Sequence, residues 1–72
     1  MHNYQLTVPH EFEAFHLGIE LTIMNIQDST HPIFTTTETK DAIIYLIPFD
    51  EEDSMYAFDK EIRLSMPFLF KS

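Results

Sequence analysis

The sequence has no cysteine and only one glycine, Gly18. Without cysteine no disulfide can cross-link the chain, which fits a reducing compartment but does not require one. A chain of 72 residues buries only about 60% of its unfolded surface, so its stability is marginal unless the core is strong. Near-absence of glycine also excludes two-residue Asn-Gly hairpins. We therefore expect longer turns built from Asp, Asn, Ser, Thr and Pro.

Basic residues are scarce as well: four Lys and Arg stand against twelve Asp and Glu, a net charge of −8. Both halves of the chain are negative, and no Lys or Arg precedes Lys40. Direct binding to DNA, RNA or anionic lipid is disfavoured, because such binding depends on Lys and Arg neutralising phosphate charge. Ala42 to Phe49, the longest apolar run, is far shorter than the ~20 residues of a membrane span. Because a secretory signal starts with basic residues, we predict a cytoplasmic protein without a membrane segment.

Aromatic residues are plentiful by contrast, with seven Phe and three Tyr in a chain that is 44% apolar. Each aromatic side chain can bury roughly 150–250 Å². This content is well above that of disordered acidic tails. We predict one folded domain over residues 1–72.

Period-two alternation predicts several strands. Apolar residues alternate over Tyr4 to Val8, and again from Ile62 to Phe70. Residues 33–39 (IFTTTET) indicate a more exposed strand. Ala42 to Ile47 is apolar at every position, which is typical of a strand covered on both faces, either by a second layer or by a partner chain.

Residues 10–26 fit both a helical stripe and a strand. We expect a helical or irregular stretch at 10–15, after Pro9, and a strand at 17–26, where β-branched residues are frequent. The sequence thus predicts an α+β fold: a small antiparallel sheet of four to five strands with one or two short helices.

Half of the twelve carboxylates fall in residues 50–61, DEEDSMYAFDKE. One interpretation is a helix start, with Asp50 as the cap, acids in the first turn, and Met55, Phe58 and Ile62 forming an apolar stripe behind them. The alternative is an EF-hand calcium loop. The position that requires glycine there is Met55, which argues against calcium.

Other chemistry is not indicated. The four histidines lack cysteine partners and tight spacing, so we predict no metal site and expect pH sensitivity instead. Asp28, Ser29 and His31 are neighbours in a turn, which rarely converge as a catalytic triad. The chain has no phosphate-binding glycine loop and is short for a preformed pocket. We predict that it is not an enzyme and has no cofactor.

The composition therefore predicts a small acidic interaction protein. Our sharper hypothesis is an inhibitor, comparable in size and charge to virus-encoded inhibitors, that occupies the nucleic-acid-binding surface of a basic target protein. The predicted contact residues are Asp50, Glu51, Glu52, Asp53 and Asp59, supported by Glu11, Glu13 and Glu20. The alternative is a small structural subunit that homodimerises or joins a larger assembly through its apolar strands, residues 42–47 and 62–70.

Overall fold

The structure, a computed structural model, describes residues 2–70. Three strands and two α-helices make up most of it, and two 3-10 segments flank the helices. In chain order the elements are β1 (His2–Pro9), a first 3-10 segment (His10–Phe15), α1 (His16–Gln27), β2 (Thr35–Glu38), β3 (Ala42–Phe49), α2 (Glu52–Ser65) and a second 3-10 segment (Pro67–Phe70).

The three strands form one antiparallel sheet in the order β1-β3-β2. β3 is central and pairs along its whole length with β1, from His2 opposite Phe49 to Pro9 opposite Ala42. The segment that contains α1 connects the two outer strands, a split β-α-β arrangement. The predicted α+β class is confirmed. The predicted four to five strands are not, because the sheet has three.

Both helices pack on the same face of the sheet, and the core lies between the helices and the sheet. The core residues of β1 and of β3 are alternate residues of each strand, because successive side chains of a pleated strand point to opposite faces of the sheet. Phe58 of α2 is fully buried at its centre, edge-to-face with Tyr4 and 5.5 Å from the ring of Phe49. The core cluster comprises Leu6, Val8, Ile19, Ile23, Tyr45, Ile47, Phe49, Phe58, Ile62 and Met66.

The predicted strand at 17–26 is wrong, because these residues form α1. Ile19 and Ile23, four residues apart, are both fully buried, which is helical spacing. Leu17 and Leu21 are more than 60% exposed on the other side of the helix. A helix with apolar residues on two faces also alternates like a strand, and burial of the Ile pair outweighs the β-branched preference.

The predicted strand at 62–70 is also wrong. Phe58, Ile62 and Met66 are spaced by four and are all buried, so α2 continues through the first part of this segment to Ser65. Pro67 cannot extend the helix, because it has no N–H to donate and disfavours the helical conformation of the residue before it. The chain then folds into the second 3-10 segment, where the ring of Phe68 packs at a tilt against the ring of Phe12, with centroids 4.7 Å apart.

Asp28 ends α1 in the left-handed conformation, with φ of 53°. A side chain with a Cβ is strained there, and a carboxylate at a helix C-terminus opposes the helix dipole. We expect Asp28→Gly to raise the free energy of unfolding by about 0.5–1 kcal/mol, because it relieves both costs. Urea unfolding measures the change, and Asp28→Asn isolates the part due to charge. Lower stability of the glycine variant would contradict this account of the helix end.

Candidate functional site

Four consecutive acids surround the start of α2, as the helix-start interpretation predicts. Glu52 and Asp53 lie in the first turn, where the helix dipole favours negative charge. The cap is Glu51 and not Asp50, and no side chain makes a capping hydrogen bond. The carboxylates of all four exposed residues therefore remain available to solvent.

The calcium-loop alternative does not fit this structure. Its frame spans residues 50–61, but the chain is helical from Glu52 onward. An EF-hand loop must instead wrap its oxygens around the ion. In the part of the chain that the structure describes, no group of three or more His, Asp or Glu side chains is placed to hold a metal.

Asp28 lies at the same end of the molecule as these four acids, because the side chain of the preceding residue, Gln27, donates to the carbonyl of Pro48. A shallow cleft between the end of α1 and the start of α2 is lined by residues that include Ser29, Asp50 and Ser54. Asp28 is the exposed neighbour of Ser29. We call Asp28 and residues 50–53 the acidic end. Within residues 2–70, none of its five carboxylates forms an ion pair.

The Gln27 side chain holds this end together. Its amide nitrogen donates to the carbonyls of Ile33 and Pro48 at 2.9 and 3.0 Å, and its amide oxygen accepts from the backbone N–H of Ile33 at 2.9 Å. These bonds tie the end of α1 to the residues before β2 and to β3. The acidic end therefore lies on a part of the fold whose segments are joined by these three hydrogen bonds.

The other predicted contact residues lie elsewhere. Glu11 and Glu13 are in the first 3-10 segment, which follows the far end of β1. An eight-residue strand is about 26 Å long, so these acids are at the opposite end of the sheet. Glu20 lies on α1, where its carboxylate is 3.0 Å from Nδ1 of His16. The structure therefore brings together residues 50–53 and separates them from the supporting acids.

Asp59 differs from the other predicted contact residues because its carboxylate has partners within the chain. It accepts hydrogen bonds from the Tyr4 hydroxyl and from Nε of Arg63, the latter at 3.0 Å. The Arg63 guanidinium in turn lies 4.1 Å from the ring centre of Phe70. This network links β1, α2 and the second 3-10 segment, so Asp59 has a structural role.

Ionisation in this network is shifted in two directions. Burial and the neighbouring Asp59 carboxylate raise the pKa of the Tyr4 hydroxyl well above its usual value. Burial alone would raise the pKa of Asp59, but hydrogen bonds from Tyr4 and Arg63 outweigh that effect and hold the pKa below its usual range. The folded state thus favours a neutral tyrosine beside an ionised aspartate.

We expect Tyr4→Phe to lower the free energy of unfolding by about 1–2 kcal/mol, because a hydrogen bond to a charged group is lost. A raised tyrosine pKa gives stability that is present below about pH 10 and lost at higher pH. The lowered Asp59 pKa gives stability that is present above about pH 4 and lost as the medium is acidified. Urea midpoints across pH test both signs.

The phenylalanine variant should lose less stability than the wild type above about pH 10. The part due to Tyr45 remains in both proteins, since burial and Glu20 raise the pKa of that residue too. Identical alkaline curves for the two proteins would show that Tyr4 is not the group responsible.

Two of the four histidines, His10 and His16, make their contacts away from the acidic end. Nε2 of His10 donates to the carbonyl of Thr39 at 2.8 Å, and His16 faces Glu20. His2 is nearer the acidic end, because it pairs with Phe49, the residue before Asp50. The pH sensitivity expected from the histidines stays a prediction.

Residues 50–53 lie together at the start of α2, as the sequence predicted, but two features of the structure were not predicted. Asp28 joins the acidic end only through the fold, although its place in the turn DST was a visible signal for a helix end. Asp59 and Arg63 have the i, i+4 spacing of a helical ion pair, which was readable, but the Tyr4 contact spans 55 residues of sequence and was not.

No helix within residues 2–70 has the length and apolar character needed to cross a membrane. Comparison of the chain with protein-family models, with curated proteins and with solved structures finds no match.

Proposed function

We propose that the protein is a non-enzymatic inhibitor whose acidic end binds the nucleic-acid-binding surface of a basic protein. The observation that carries this proposal is the set of five exposed carboxylates with no ion pair among residues 2–70. A partner's Lys and Arg side chains need not break an existing ion pair in order to reach them. Formation of ion pairs with a partner therefore does not require the loss of ion pairs within the protein.

The concentration of negative charge at the acidic end also favours fast association with a basic partner. Electrostatic steering raises association rates by ~10–10³ where opposite charges face each other. The whole molecule adds to this field, because its net charge is −8. A target surface that evolved to bind phosphates carries the complementary Lys and Arg side chains.

The separated acids Glu11, Glu13 and Glu20 enter this proposal differently from residues 50–53. They lie away from the acidic end and contribute to the long-range field. Asp59 is assigned a structural role and not a contact role, because its carboxylate already accepts hydrogen bonds from Tyr4 and Arg63. The proposed contact surface is accordingly narrower than the sequence alone predicted, with Asp28 added to it.

A pull-down from cell lysate tests the proposal. The tagged protein is incubated at about 50 mM and about 300 mM salt, concentrations at which the screening length differs by a factor of about 2.5. We expect capture of basic nucleic-acid-binding proteins at the lower concentration and loss of most of it at the higher. Capture that is indifferent to salt would contradict an electrostatic interface.

A further inference from the structure

The helices leave one face of the sheet uncovered within residues 2–70. We call it the open face, and it consists of the residues of opposite parity to the core. Strand register sets them in rows, with Thr7, Ile44 and Thr37 in one and Gln5, Leu46 and Thr35 in the next. Its members towards solvent are Asn3, Gln5, Thr7, Thr35, Thr37, Ile44, Leu46 and Pro48, whereas Pro9 and Ala42, at one end of the same face, are half-buried and buried.

The open face has an apolar stripe along its middle. Leu46 is 42% exposed, and Ile33, which borders the face near Pro48, is 59% exposed. Ile44, Leu46 and Ile33 are outside the set of hydrophobic residues that pack against the core. A water-facing strand usually places polar residues at such positions, as the flanking strands do here.

No member of the open face is charged, although 22% of the chain's residues are. The acids lie at the two ends of the sheet and on the helices. A second molecule that is equally acidic would be repelled from those surfaces and not from this one. The charge layout therefore selects what kind of partner can approach here.

We propose that the open face binds the open face of a second copy of this chain. Its polar members are Thr, Asn and Gln, whose side chains both donate and accept hydrogen bonds, so identical groups can pair across a two-fold axis. Apolar Leu46 and Ile44 then meet the same residues of the second copy. A basic protein is a less suitable partner for this face, because the face has no acid for its Lys and Arg side chains to pair with.

The size of the face sets the strength of this dimer. A three-stranded sheet with an eight-residue central strand presents about 300 Å² in projection. Stable interfaces bury ~800 Å² per partner, so the dimer is weak and forms at high concentration. Analytical ultracentrifugation from about 10 μM to about 1 mM covers the range in which such interfaces dissociate.

Salt separates this proposal from the proposed function. Two copies that each carry −8 repel one another, so added salt should strengthen the dimer by screening. Added salt should weaken binding of a basic partner for the same reason. Either interface can therefore fail without the other.

The test compares the wild type with two variants and a matched control. Leu46→Glu places a carboxylate in the middle of the face, and Gln5→Glu does so beside it with almost no change of shape. Leu21→Glu adds the same charge to the exposed side of α1. Circular dichroism checks that each variant is folded.

We expect a concentration-dependent dimer in the wild type and in Leu21→Glu, weakened at least about tenfold in Leu46→Glu and severalfold in Gln5→Glu. If Leu46→Glu does not fold, the Gln5→Glu result decides. A monomeric wild type at about 1 mM would overturn the proposal. So would a dimer that survives both sheet variants, or one that Leu21→Glu disrupts equally.

Discussion

Replacing the four acids at the start of α2 by amides should weaken binding to the captured basic proteins by about 10- to 100-fold, because both steering and pairing are lost. The variant is Asp50→Asn, Glu51→Gln, Glu52→Gln and Asp53→Asn. Amides keep the shape of the side chains, and none of the four makes a capping hydrogen bond that the fold would miss. Fluorescence anisotropy with one purified captured protein measures the affinity.

A matched control removes four charges from the other end of the sheet. It carries Glu11→Gln, Glu13→Gln, Glu38→Gln and Asp41→Asn, and so has the same net charge as the first variant. We expect it to bind more tightly than the first variant, since only the long-range field is reduced. Equal losses in both would mean that net charge, and not the acidic end, determines binding.

Phe58→Ala should have the largest effect on stability, a loss of about 3–5 kcal/mol. Phe58 is fully buried and contacts the rings of Tyr4 and Phe49, so its removal leaves a cavity where both helices and the sheet meet. A domain of 72 residues has roughly 4–11 kcal/mol in total. Much of the variant should therefore be unfolded at physiological temperature.

Tyr56→Ala provides the control for this prediction. Tyr56 is an aromatic residue of the same helix that is 59% exposed. Its truncation should change the free energy of unfolding by no more than about 0.5 kcal/mol. Thermal unfolding followed by circular dichroism compares the two. A Phe58→Ala variant as stable as Tyr56→Ala would contradict the assigned core.

The strands were predictable where one face is buried and the other is polar. β1 alternates strictly, and residues 33–39 read as exposed and contain β2. The α1 region was not predictable in this way, because Leu17, Ile19, Leu21 and Ile23 satisfy both a strand and a helix period. Only burial of the two isoleucines against the sheet decides between them.

The strand prediction for residues 62–70 was wrong for a related reason. From Ile62 onward the apolar residues alternate, yet Phe58, Ile62 and Met66 also follow the helical period. The acids at residues 50–53 and the apolar stripe behind them had already predicted a helix here. Helix formation is cooperative, so a helix that has begun continues until a residue ends it. Pro67 is that stop. Recognising it would have removed the predicted strand at 62–70, although the wrongly predicted strand at 17–26 would have remained.

The structure brings together only some of the predicted contact residues, and their role in binding stays a prediction. Residues 50–53 lie together because they are consecutive and begin a helix, which local sequence determines. Asp59 was grouped with them by proximity along the chain, but its place on α2 turns it towards Tyr4. Which acids face a partner depends on tertiary contacts, and these were not readable from composition.

Competition with DNA tests the central claim most directly. One of the captured basic proteins is mixed with a short labelled duplex that it binds, and the acidic protein is titrated in while anisotropy is followed. Our account predicts that the duplex is fully displaced, and that the variant with amides at residues 50–53 requires a much higher concentration to do so. A ternary complex, with the duplex still bound at saturation, would contradict it.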